Sequence, residues 1–155
     1  MVKKLIFGLA LVGFTGTLLA ADAFTGTWKL NVAKSKFAPG MEVKDLTVVV
    51  AEQGDNFAVA VKGTAGDGTP IVVKYTLPLK GGPVTYGDGA PPTGATSMTK
   101  RVNATTIDST STLNGKEVGS THTVVSADGK TLTRTVKGMD PQGKPFQNTE
   151  VYDKQ

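Results

Sequence analysis

The sequence predicts an all-β chain closed into a single antiparallel up-and-down β-barrel of about eight to ten strands. Three observations predict it. After residue 23 no segment carries apolar residues at i, i+3, i+4 and i+7 over several turns, whereas period-two alternation rich in Val, Ile, Thr and Tyr recurs about every ten residues. The 19 glycines and eight prolines fall mostly between those runs, where turns are needed. Nearly every link is short enough for a hairpin, so a sequential sheet would be left with exposed edges that closure into a barrel removes; a Greek-key sandwich would need longer crossovers.

The first 23 residues stand apart from that pattern. Lys3 and Lys4 precede an apolar run from Leu5 to Ala21, and Ala21-Asp22-Ala23 offers an A-x-A cleavage site, with Ala20 and Ala21 as further cleavage points. The run is broken by Thr15, Gly16 and Thr17 and is shorter than the roughly 20 residues that span a bilayer. The expected organisation is a signal peptide over 1–23 and one barrel domain over 24–155, periplasmic or secreted, with no stable membrane anchor once cleaved. The remaining length, about 130 residues, buries a core without staples, and a monomer is expected. The chain has no cysteine, which rules out disulfides and a lipidated N-terminal Cys.

The strands follow in order. Gly26–Asn31 begins the barrel with the chain's single tryptophan, Trp28. Val32–Gly40 ends in Pro39-Gly40 and fits a short helical turn or irregular connector. Lys44–Ala51 places Leu46, Val48 and Val50 on one face, and a two-residue turn at Gly54-Asp55 returns the chain through Phe57–Gly63. Val50 then opposes Val59 and Val48 opposes Val61, so the two apolar faces coincide. Ile71–Leu77 alternates Ile71, Val73, Tyr75 and Leu77 against Lys74 and Thr76. Pro78–Ala95 holds a short strand, Val84–Tyr86, in a run of loop formers and is expected as a rim or lid. Thr96–Val102, Thr105–Thr112, Lys116–Val125 and Thr131–Met139 form a meander turned at Asn103-Ala104, Asn114-Gly115 and Asp128-Gly129. The final turn, Asp140–Pro145, leads to Phe146–Asp153, and pairing across it sets Arg134 opposite Glu150 and Leu132 opposite Tyr152.

Gly26-Thr27-Trp28, at the start of the first strand, resembles the G-x-W signature of the lipocalins and of the wider calycin barrels. Together with Lys29-Leu30-Asn31, Ala33–Phe37 and the terminal Tyr152-Asp153-Lys154-Gln155, it also resembles a group of small secreted bacterial proteins of unassigned function. The resemblance implies a lipocalin-like barrel in which Trp28 packs across the closed end against an Arg from a late strand. Arg134 is the best match for that Arg and Arg101 the second, so Gly26, Trp28 and Arg134 are expected to close the barrel. Trp28 supports the same role without the family: its ring seals an apolar end and its indole N–H seeks a carbonyl. Fatty-acid-binding relatives hold a carboxylate with Arg-x-Tyr near the C-terminus. Glu150-Val151-Tyr152 has Glu in the Arg position, so that anion site does not carry over.

Composition excludes several function classes. The basic excess is small, and it is scattered, with no cluster longer than Lys100-Arg101 and few aromatics to stack bases, so no nucleic-acid partner is expected. His122 is the only histidine and there is no cysteine, so neither a Cys/His nucleophile pair nor a His/Cys zinc cage exists. The Asp67-Gly68, Asp88-Gly89 and Asp128-Gly129 dipeptides read as turns and lack EF-hand spacing. No enzyme activity, metal or cofactor is expected. His122 falls opposite Ile107 if Asn114-Gly115 makes a regular two-residue turn.

The pair Arg134–Glu150 leaves three readings open: an exposed cross-strand pair, a partner for Trp28, or polar anchors inside a ligand cavity. Tyr75, Met98, His122 and Tyr152 are candidate ligand-contacting residues. The expected function is an exported, non-catalytic binding protein whose barrel takes a small hydrophobic or amphipathic ligand. The alternative is a protein-interaction module, such as an inhibitor of an exported hydrolase or a partner of an envelope protein, inserting Phe24 and Thr25.

Overall fold

The computed structural model describes residues 21–140 and 142–155; residues 1–20 of the expected signal peptide and Pro141 of the last turn lie outside the described residues. The strands are β1 (Gly26–Leu30), β2 (Val43–Gln53), β3 (Asn56–Ala65), β4 (Pro70–Pro78), β5 (Gly81–Pro83), β6 (Thr85–Tyr86), β7 (Ala95–Asn103), β8 (Thr106–Leu113), β9 (Lys116–Val125), β10 (Thr131–Met139) and β11 (Pro145–Lys154). The connector after β1 contains a 3-10 turn at Val32–Lys34, started by the Asn31 side chain accepting from the Lys34 N–H.

All pairings between these strands are antiparallel, in the order β5-β7-β8-β9-β10-β11-β1-β2-β3-β4-β6. The two strands at the ends of that order are neighbours in sequence, joined by Val84 alone. Gly81–Pro83 pairs with β7, Val84 N–H donates to the Ser97 carbonyl at 2.9 Å, and Thr85–Tyr86 then crosses to pair with β4. One short segment therefore serves both edges and nearly closes the ring, which is what an antiparallel sheet needs to avoid free edges. Where the single strand Val84–Tyr86 was expected there are two short strands, β5 and β6, either side of Val84, so the described residues form eleven strands where about eight to ten were expected.

Registers counted back from the turns follow the sequence closely between β2 and β3 and between β10 and β11. Val50 faces Val59 and Val48 faces Val61, while Arg134 faces Glu150 and Leu132 faces Tyr152. Between β8 and β9 the register slips at Ser111/Thr112, so His122 faces Asp108 and the expected Ile107 partner moves to Thr123. A one-residue bulge moves a side chain to the opposite face of a sheet, and His122 consequently points outward while Thr121 and Thr123 point in.

The apolar core gathers at the end of the barrel where β1 begins. Trp28 and Tyr152 are fully buried, with Phe57, Val125, Leu132 and Phe24 packed around them. Pro78–Ala95, expected as a rim or lid, is partly the closing seam, and its Gly87-Asp88 segment is tied to β4. Lys74 N–H donates to the Asp88 carbonyl at 2.8 Å, Gly87 N–H returns to the Lys74 carbonyl at 2.8 Å, and the two side chains pair at 2.7 Å.

Candidate functional site

Inside the barrel lies a cavity of about 210 Å³. Two walls of different chemistry enclose it. Strands β1–β4 place Trp28, Val48, Val50, Phe57, Val59 and Leu77 along one side. Period-two alternation makes that wall: the same strands send Lys29, Val49 and Lys74 outward. Strands β7–β9 place Ser97, Thr99, Ser109, Ser111, Thr121 and Thr123 on the other side. Some of these hydroxyls are engaged within the wall: Tyr86 OH and Ser97 Oγ lie 2.9 Å apart, Ser97 and Ser111 3.0 Å apart, and Thr99 donates to the Gly82 carbonyl at 3.0 Å. No side-chain N or O atom among the described residues is both sealed off and unpartnered.

Arg134 and Tyr152 sit where the walls meet. A single carboxylate oxygen, Glu150 Oε2, accepts from Arg134 Nη1 at 3.1 Å and from Tyr152 OH at 2.7 Å. Arg134 lines the cavity with its side chain 31% exposed, whereas Glu150 is 13% exposed and is not part of the lining. Burial alone would push the Arg134 guanidinium down; the Glu150 carboxylate reverses this and holds it above its ordinary value, so it stays charged. Burial likewise drives the Tyr152 and Tyr75 phenols well up, keeping both neutral donors. Of the pair Arg134–Glu150, Arg134 lines the cavity and Glu150 holds it from outside the lining.

The closing group of the barrel differs from the expected one. The cation over the Trp28 ring is Lys154, 5.0 Å from the centroid, and Arg134 is held away by Glu150. Gly26 explains the arrangement. At φ +138 it takes a backbone conformation that side chains resist, and a Cβ there would stand 2.7 Å from Lys154 Cε, in the path of the lysine stem crossing to the indole. Trp28 Nε1 donates to the Phe24 carbonyl at 2.8 Å, the carbonyl partner expected of it.

Arg101 closes the same end one layer out. Its guanidinium lies 5.0 Å from the Phe24 ring centroid and 5.9 Å from that of Phe57, pairs with Asp22 at 2.9 Å, and donates to the Asn103 and Ala104 carbonyls. Phe24 is therefore 4% exposed beneath an ion pair and is not presented for insertion into a partner.

Of the candidate ligand-contacting residues, Tyr75 and Tyr152 line the cavity while Met98 and His122 do not. Met98 is 53% exposed on the outer face, because Ser97 and Thr99 take the inward positions of β7. His122 Nδ1 meets Asp108 Oδ1 at 2.6 Å on the outer face, in a shallow groove with Thr110, Ser120, Thr135 and Lys137. The hydroxyl wall of β8 and β9 was not among the expected ligand contacts. The signal was there in the alternation of Ser109 and Ser111, but the bulge hides which residues of β9 join them.

No family model matches the chain, and no curated protein matches its sequence. Among solved structures it is similar to zebrafish ileal bile acid-binding protein complexed with cholic acid, with a TM-score of 0.44 and 13% identity, over 86% of this chain and 99% of that one. The fold assignment rests on the chain's own strand order and register: it is an all-β antiparallel barrel.

Proposed function

We propose that this chain is a non-catalytic binding protein whose barrel takes a small amphipathic ligand. The observation that carries the reading is the internal cavity with one apolar wall, one hydroxyl wall and the Arg134–Glu150–Tyr152 group where they meet. Ligand sites are mostly apolar concavities with a few convergent polar groups, and this interior has that composition. Native mass spectrometry of the protein purified from its own host tests it. The reading expects a bound species of defined small mass released on denaturation. Protein recovered only in the unliganded mass, from several growth conditions, would contradict it.

Export to the periplasm or medium belongs to the same proposal, supported by Lys3, Lys4 and the apolar run Leu5–Ala21. Processing before Asp22 fits the fold better than processing after Ala23. The Asp22 backbone nitrogen donates to Glu52 Oε1 at 2.8 Å, and its carboxylate accepts from Arg101 and from the Phe24 N–H. The intact mass of the exported protein should begin at Ala21 or Asp22; a chain starting at Phe24 would refute this.

A further inference from the structure

The charge balance at the junction of the two walls narrows the ligand class, and this step rests on the binding reading above. The geometry points to an uncharged ligand of about ten non-hydrogen atoms, its hydrogen-bonding groups along one edge, with Glu150 as the residue that makes the cavity reject anions.

Size comes first. A protein cavity of roughly 150 Å³ holds a benzene molecule, so about 210 Å³ holds a single substituted ring or a chain of similar bulk. The aromatic and valine side chains of the β1–β4 wall complement one face of such a ring. Across from them Ser109, Thr121 and Thr123 face the cavity. Hydroxyls donate and accept, so they match a carbonyl, an amide or an alcohol equally well.

Charge decides the rest. Arg134 is the only Lys or Arg among the described residues lining the cavity, and its charge is already matched at 3.1 Å by Glu150, whose same oxygen is bound by Tyr152. An incoming carboxylate would have to share the guanidinium with a second carboxylate a few ångströms away, and an incoming cation would meet Arg134. Either would lose its hydration without gaining an unshared partner. A neutral polar group loses little and finds the hydroxyl wall.

Four ring compounds with the same number of non-hydrogen atoms separate these terms: benzamide, benzoate, benzamidine and α-methylstyrene, titrated calorimetrically at neutral pH. The wild-type protein should bind benzamide at least about tenfold more tightly than either ion, and about tenfold more tightly than the hydrocarbon. Glu150→Gln keeps the shape of the side chain and uncovers the guanidinium, so benzoate should gain at least about tenfold and overtake benzamide. Arg134→Gln provides the reciprocal check should Glu150→Gln not fold: benzamidine should gain and benzoate should not. Benzoate binding the wild type as tightly as benzamide, or an order unchanged in the variants, would overturn the charge-rejection claim while leaving the barrel a binding protein. Failure of all four compounds to bind would remove the binding reading itself.

Discussion

Replacing Trp28 by Ala is the sharpest perturbation of the barrel's closed end. Trp28 has no exposed surface, and an aromatic of this size buries about 200 Å², worth about 5 kcal/mol at 25 cal/mol per Å². Ala keeps part of that burial, which lowers the transfer loss to about 3–4 kcal/mol. Two specific contacts go with the ring. The Phe24 carbonyl loses the indole donor at 2.8 Å, costing about 1 kcal/mol, and Lys154 loses the face it covers at 5.0 Å, costing about 0.5 kcal/mol. One effect acts the other way: Trp28 borders the existing cavity, so the vacated space joins an opening that admits water. The net expectation is about 3–5 kcal/mol, a large share of the stability of a domain this size. Urea unfolding followed by far-UV circular dichroism measures it, since the substitution removes the only tryptophan. Trp28→Phe should cost about half as much, because it keeps most of the apolar area and loses the indole donor. A midpoint shift equivalent to less than about 1 kcal/mol for Trp28→Ala would refute the keystone role.

Three further predictions concern other parts of the scaffold. Gly63→Ala should destabilise by about 3 kcal/mol, because its Cβ would stand 2.1 Å from the Asp45 carbonyl oxygen and 2.8 Å from Leu46 Cα, and backbone cannot swing aside as a side chain can; an unchanged thermal midpoint would contradict the close approach of β2 and β3. Arg101→Met should cost about 2 kcal/mol in chemical denaturation, since it removes the mostly covered Asp22 pair and two carbonyl contacts, whereas Lys74→Met, which breaks the exposed pair with Asp88, should leave the denaturation midpoint unchanged. Alkaline pH should unfold the barrel. Burial raises Tyr75 and Tyr152 above their ordinary value of 10.0, so the stability they contribute is whole below pH 10 and falls as pH rises beyond it, by about 1.4 kcal/mol per pH unit for each. Their tyrosinate absorbance should therefore appear together with loss of the circular dichroism signal; appearance in the folded protein would contradict their burial.

The parts of this fold legible in the sequence are those fixed by two-residue turns and by alternation. Gly54-Asp55 determines that Val48 and Val50 share a face with Val61 and Val59, and the Arg134–Glu150 and Leu132–Tyr152 pairs follow from counting back across the last turn. What stayed hidden depends on chain segments brought together from far apart. Lys154 reaches Trp28 only because β11 pairs with β1, and nothing in Gly26-Thr27-Trp28 names a lysine at the other end of the chain. Arg101 covers Phe24 across the barrel's closed end, again a contact between distant residues. The bulge opposite Ser111/Thr112 leaves Val118 without a partner beside Gly119, whose place inside a strand is its one mark in the sequence, and it turns His122 outward and sets Thr121 and Thr123 into the cavity. The candidate site was thus half visible: Tyr75, Tyr152 and Arg134 came from strand alternation and pairing, while the hydroxyl wall needed the register.

The most direct test of a ligand-binding barrel uses its own tryptophan, which lines the cavity. Trp28 fluorescence is titrated with benzamide in the wild type and in Ser109→Phe, where a ring projects from the hydroxyl wall into the cavity. The account predicts a saturable change in the wild type that is lost in the variant, with the variant still folded by circular dichroism. No saturable change in the wild type, or an identical curve in the filled variant, would contradict binding inside the barrel.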